Sequence, residues 1–203
     1  MQTLTRLYDN HDAAVTVVNQ LEASGVPHSD ISIVSNDADG RLVEGHTTGH
    51  GGDATATGAG TGASIGTVLG GGAGLLAGIG ALAIPGVGPI VAAGWLVAAL
   101  TGAGVGAAAG GLLGSLTGAG VSSEDSHVYA EGVRRGGTLV TVRADDAQAA
   151  RLQTMLDGTM PVDIVARRGE YQTEGWKEHD VAATPYTAEQ IAEERRRRVV
   201  SVK

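Results

Sequence analysis

The chain has 203 residues and a formal net charge of −8, with 33 glycines, no phenylalanine, no cysteine and 3% aromatic residues. The acidic balance and the scarcity of aromatic side chains argue against a nucleic-acid-binding surface, which needs clustered basic charge. The absence of cysteine excludes disulfide bonds and thiolate chemistry, so a core must be built mainly from Val, Ile, Leu and Ala.

Residues 1–40 predict the first of two βαβ halves. The run TLTRLY alternates as a short strand does, and the apolar residues of DNHDAAVTVVNQLEASG recur at helical spacing. Asp9 or Asn10 is a suitable N-cap, and Gly25 stands where a C-terminal glycine is expected. The run ISIVS, residues 31–35, predicts the second strand.

Residues 41–60 predict a polar linker rich in Gly and His. GHTTGH places His46 and His50 four residues apart, with Asp53 close by and Asp37 and Asp39 upstream. This set is a weak candidate for a divalent metal site. The surrounding glycines favour a solvated linker instead.

From Ala54 to Ser123 the chain contains no Asp, Glu, Lys or Arg. Within this stretch, residues 61–120 predict a helical hairpin whose two apolar arms cover residues 63–84 and 90–116. PGVGP separates the arms and predicts a turn, because two prolines interrupt any continuous helix. The turn residues are Pro85, Gly86, Gly88 and Pro89.

Both arms carry small residues at a spacing of four, a pattern that forms one groove along a helix and lets another backbone approach closely. In water each glycine costs a helix about 1 kcal/mol relative to alanine. Such a ladder therefore predicts packing in lipid or in a protein interior, within the hairpin and between subunits. Its members are Gly58, Gly62, Gly66, Gly70, Gly74, Gly78, Gly94, Ala98, Gly102, Gly106, Gly110, Gly114 and Gly118.

Each arm is long enough to cross a bilayer core, which takes about 20 residues. The N-terminal sequence shows no secretory signal peptide, so we expect a protein of the cytoplasmic membrane with both termini in the cytoplasm. The alternative is a cytoplasmic protein whose hairpins are buried in an oligomer, because Gly and Ala dilute the hydropathy.

Residues 121–169 predict a connecting helix and the second βαβ half. Ser122 or Ser123 caps a helix that ends near Arg134 and Arg135, with charges that match the helix dipole. The strands are predicted at 138–143 and 162–166, with a helix from Asp146 to Leu156. Two βαβ halves predict an α+β fold of the ferredoxin-like sandwich class, interrupted by the hairpin.

Residues 170–203 predict a charged, mostly extended tail with a short helix from Thr187 or Ala188. Its Arg195–Arg198 run is a candidate for contact with acidic lipid head groups. A solvated tail is an equal alternative.

The sequence resembles the bacterial general stress, or heat-induced stress, protein family over most of residues 3–168. The stretches LYDNHDAAVTVVNQLEASGVPHSDISIVSND, IPGVGPIVAAGWLVAAL and HVYAEGVRRGGTLVTVRADD carry the resemblance. It implies a small α/β domain with a glycine-zipper insertion, a stress-associated role and no established catalytic residue.

The sequence predicts neither an enzyme nor a cofactor. GVGAAAG, residues 104–110, has the glycine spacing of a dinucleotide-binding loop but falls inside the ladder, away from any predicted strand. We expect a non-enzymatic protein whose partners are other copies of itself and membrane lipid, with no nucleic acid. The alternatives are a soluble filament or shell, and a small-ligand or metal sensor that uses the His46 loop.

Overall fold

The structure, a computed structural model, describes residues 1–38, Leu42, 80–84, 86–102 and 105–201. It gives the backbone alone for residues 80–83, 101–102, 105–110 and 199–201. The predicted linker apart from Leu42, most of the first ladder arm and Pro85 lie outside the described residues.

Five strands form one antiparallel sheet in the order β1-β5-β2-β4-β3. Since β1 and β2 each pair antiparallel with β5, they run parallel to each other with β5 between them, as in a split βαβ unit. The fold is therefore α+β. The strands are β1 (Gln2–Tyr8), β2 (Ile31–Asn36), β3 (Gly80–Ile84), β4 (Gly88–Gly94) and β5 (Thr138–Ala144).

Helices cover both faces of this sheet, and a separate apolar core lies between the sheet and the helices on each face. Helices α1 and α5 lie on one face, and α2, α3 and α4 lie on the other. The seven α-helices of the described chain are α1 (His11–Ala23), α2 (Trp95–Gly102), α3 (Val105–Gly118), α4 (Ser123–Arg134), α5 (Asp146–Asp157), α6 (Ile164–Thr173) and α7 (Ala188–Ser201).

The first predicted half and the connecting helix are confirmed, including their capping chemistry. The Asn10 side chain accepts a hydrogen bond from the Ala13 amide at the start of α1. Ser122 does the same for Asp125 at the start of α4. Gly25 has the positive φ of a residue just past a helix end.

The predicted helical hairpin is wrong around its turn, because residues 80–84 and 88–94 are strands. They pair with each other, and β4 pairs with β2. Ile90 and Val91 are buried between sheet neighbours, an arrangement that suits β-branched side chains. In the second predicted arm, helical structure begins at Trp95, after Gly94 ends the strand with φ +91.

The predicted strand at 162–166 is also wrong. Asp163 accepts hydrogen bonds from the Val165 and Ala166 amides, and this cap begins α6 where a fourth strand would be. The Val162 amide donates a backbone hydrogen bond to the Leu7 carbonyl at 2.8 Å, and this bond joins the segment to β1. The ferredoxin-like arrangement accordingly lacks its last strand in the described chain.

The C-terminal segment does not extend away from the domain. Tyr171, His179 and Ile191 are all buried, and α7 begins at Ala188, as predicted. The expectation of a mostly extended tail was therefore wrong, because its apolar and charged side chains have partners on the domain.

Candidate functional site

The structure separates the second ladder arm into residues with different roles. Gly94 belongs to β4, and a Cβ added to it would lie 2.0 Å from the Ile31 carbonyl oxygen. A glycine is required there by close contact within the sheet. The prediction of Gly94 as a helix-packing residue was wrong.

Helix α3 has a buried face and a face of small residues. Leu112 and Leu116 are buried against the sheet. Gly114 and Gly118 are exposed, and each lies two residues after one of these leucines. A Cβ added to either glycine would meet nothing within 4 Å among the described atoms. Ladder members at a spacing of four therefore share an outer face of α3.

The other described ladder residues lie on the same two helices. Ala98 is exposed on α2. Gly102 ends α2, and Gly106 and Gly110 lie in α3, which is bent at Gly111 with φ +43. The described ladder residues therefore lie on β4, on α2 and on the two parts of α3 on either side of Gly111, and not on one continuous arm. Gly58, Gly62, Gly66, Gly70, Gly74 and Gly78 are outside the described residues.

The chain does turn after Ile84, and the turn joins two strands. Gly86 and Gly88 have positive φ, and the C-terminal segment packs directly on them. A Cβ on Gly86 would lie 2.7 Å from the Asp180 carbonyl oxygen, and one on Gly88 would lie 2.9 Å from the Pro185 ring. These glycines therefore serve both the turn and a close approach.

The weak metal candidates His46, His50 and Asp53 are outside the described residues, as is Asp39. Within residues 1–38, 42, 80–84, 86–102 and 105–201, the His, Asp and Glu side chains form no group of three or more that is arranged to hold a metal ion. No helix of this described part combines the length and the apolarity that a bilayer crossing needs.

A buried ionic cluster, which we call the Glu131 cluster, joins α4 to the C-terminal segment. Both oxygens of Glu131 accept hydrogen bonds: Oε1 from Arg134 and Arg135 at 3.0 and 2.7 Å, and Oε2 from His179 Nδ1 at 3.1 Å. Arg135 also pairs with Glu174. Burial opposes ionisation of Glu131, but His179 and the two guanidinium groups outweigh it and lower its pKa to about 2.

A second cluster of charges lies at the end of β1. Arg167 donates to both carboxylate oxygens of Asp9, at 2.9 and 3.0 Å, and Arg198 donates to one of them at 2.9 Å. Burial opposes ionisation of Asp9, but these two arginines lower its pKa overall. In the Glu131 cluster, the guanidinium carbon of Arg135 lies 4.1 Å from the centroid of the Tyr171 ring. This is a cation–π contact.

The Arg195–Arg198 run therefore has partners on its own chain. Arg195 donates to the Gly136 carbonyl, and Arg196 pairs with the exposed Glu193. Arg197 pairs with the buried Glu194 within α7 and, at 3.5 Å, with Glu174 just after α6. Arg195, Arg197 and Arg198 therefore join α7 to the rest of the domain, whereas Arg196 pairs only within the helix among the described contacts.

The Glu131 cluster is better suited to holding two segments together than to catalysis. A general base needs a free lone pair within reach of a substrate proton. The Glu131 oxygens are instead occupied by donors, and its side chain is 1% exposed. Sequence reasoning missed this cluster, although Glu131 with Arg134 and Arg135 at spacings of three and four is a signal of paired charges on a helix.

No family model, curated protein or solved structure matches the chain. The resemblance to the general stress family stays a prediction.

Proposed function

We propose that this protein is a non-enzymatic, self-associating protein that uses small-residue helix faces to pack against other copies. The observation that carries this proposal is the outer face of α3. Gly114 and Gly118 are exposed there at helical spacing, with open space where a side chain would be. A face without side chains allows a second helix to approach closely.

The energetics of α3 support this reading. Glycine in an exposed helix costs about 1 kcal/mol relative to alanine. At Gly114 and Gly118 the described domain would tolerate a larger residue, since an added Cβ would have no described neighbour within 4 Å and neither glycine has a positive φ. The cost is then offset by a contact outside the described domain. The charge-free stretch from Ala54 to Ser123 contains this face, so two copies of an acidic protein can meet there without repulsion.

The substitution Gly114→Leu tests the proposal. It places a bulky side chain in open space within one chain but would overpack a close helix–helix contact. We expect the folded domain to persist and the assembly to dissociate in size-exclusion chromatography with light scattering. Gly118→Leu should act in the same way.

Gly169→Leu is the matched control. Gly169 is also exposed in a helix with nothing within 4 Å of its added Cβ, but it lies outside the ladder. It should assemble as the parent chain does. An assembly that withstands Gly114→Leu and Gly118→Leu together would remove the small-residue face as its basis.

The proposed setting of the assembly is the cytoplasmic membrane or the cytoplasm, with the stress-associated role that the family resemblance implies. Fractionation of cells that make the protein separates the two. Material that resists carbonate extraction supports packing in lipid, whereas a large detergent-free particle supports a protein-only assembly.

A further inference from the structure

The two edges of the sheet differ in how their backbone groups are used. At the β1 edge, the Leu7 carbonyl accepts from the Val162 amide, and the Thr5 carbonyl accepts from the Tyr129 hydroxyl at 3.0 Å and from Arg6 Nη1 at 2.8 Å. Covering an edge in this way prevents pairing with another chain. This edge is closed by the protein's own residues.

The opposite edge is β3, which pairs with β4, and in the described chain no further strand lies beyond it. The strand GALAI contains neither a charged residue nor a proline, the features that commonly block an edge. β3 therefore has none of the protection that β1 has within the described residues.

The register identifies which backbone groups of β3 face outward. The Pro89 carbonyl accepts from the Asp37 amide on the β2 side, so Pro89 and its partner Ala83 do not bond to each other. The amide and carbonyl of Ala83 then point away from β4. Those of Ala81, two residues earlier, point the same way.

We propose that the β3 edge pairs antiparallel with the β3 edge of a second copy. With Leu82 at the centre, Ala81 of one copy lies opposite Ala83 of the other, and each such pair exchanges two N–H···O=C bonds, about four in all. This contact would extend each five-stranded sheet into a continuous sheet through the dimer.

Charge favours a second copy as the occupant. The chain has a net charge of −8, but β3 lies within the stretch from Ala54 to Ser123 that contains no charged residue. Two copies meeting at β3 therefore bring no like charges opposite each other, a placement that would destabilise a strand pair. This inference names one contact of the self-association proposed above and rests on it.

Hydrogen exchange of the full-length protein, measured by mass spectrometry over peptides spanning residues 80–84, tests the inference at several protein concentrations. We expect the protection of this peptide to rise with concentration, together with the assembled fraction. Protection that stays equal while the assembled fraction rises means that the chain covers its own edge, and rapid exchange in the assembled protein means that the edge is open. Either result overturns the inference while leaving self-association intact.

Variants provide the second arm. Ala81→Lys with Ala83→Lys places like charges across the proposed contact and should weaken association about tenfold or more. Ala83→Pro removes an outward amide while keeping the hydrogen bonds to β4, and should have the same effect. Ala150→Lys, at an exposed position of α5, is the matched control.

Association that is unchanged in both edge variants overturns the β3 contact. If the parent protein is monomeric at every concentration, the proposal of self-association is itself wrong. This outcome can be told apart from failure of the β3 contact, because it is seen without any variant.

Discussion

At the scale of single residues, glycines of one sequence ladder do different work. Gly94 is held at φ +91 with the Ile31 carbonyl against its α-carbon, whereas Gly114 lies in open space on α3. Their spacing in the sequence predicted the same packing role for both glycines. Backbone conformation and neighbours distinguish them, and neither is visible in a run of Gly and Ala.

This difference predicts opposite effects for the same substitution. Gly94→Ala should destabilise the fold by about 2–4 kcal/mol, because the added methyl group meets a backbone oxygen at a positive φ. Gly114→Ala should stabilise the fold by up to about 1 kcal/mol through helix propensity. Urea unfolding monitored by circular dichroism measures both. Equal effects of the two substitutions would contradict the assignment.

Glu131 is the second residue for which a sharp effect is expected. Glu131→Gln keeps the size of the side chain but leaves buried Arg135 without the buried carboxylate to which its Nε donates, which should cost about 2–4 kcal/mol. Glu193→Gln is the control, because the Glu193–Arg196 pair is exposed and such pairs contribute about 0–1 kcal/mol. Comparable free energies of unfolding for the two variants would show that the Glu131 cluster contributes little.

At the scale of elements, helices and strands could be predicted from the sequence where the local signals agree. The periodicity of α1, the Asn10 and Ser122 caps, and β1, β2 and β5 follow from short-range patterns, and the structure has them. GALAI and IVAAG, residues 80–84 and 90–94, were assigned to helices because apolar runs of this length carry no decisive period. Their pairing with each other and with β2 decides their conformation, and pairing is a long-range property.

The C-terminal segment was misjudged for a related reason. Its polar composition is typical of a solvated tail, yet the buried Glu131 and Arg135 and the half-buried Asp9 offer it charged partners far away in sequence. Composition shows how little apolar surface a segment has to bury. It does not reveal that the rest of the chain holds complementary charges.

At the scale of the whole molecule, the two ionic clusters make stability depend on pH. Glu131 and Asp9 both have pKa values below those of ordinary carboxyl groups. Their stabilisation is therefore fully present above the unfolded-state values and is lost as the pH falls toward the folded-state values.

We expect the free energy of unfolding to fall between about pH 5 and pH 2, with Glu131 contributing on the order of 3 kcal/mol to the change. Unfolding of the parent chain and of Glu131→Gln across this range measures that share. The pH profile of the variant should be shallower. Parallel profiles would mean that Glu131 is not the titrating group.

The central position of β5 has a consequence for synthesis on the ribosome. Ser35 of β2 and Thr138 of β5 are in contact but are 103 residues apart in the chain. At about 5–20 residues per second, β1 and β2 wait roughly 5–20 s for the strand that joins them. Throughout that interval the glycine-rich, uncharged stretch is emerging from the ribosome. The strand edges of β1 and β2 therefore stay unpaired over that interval, and slower elongation prolongs their exposure to aggregation.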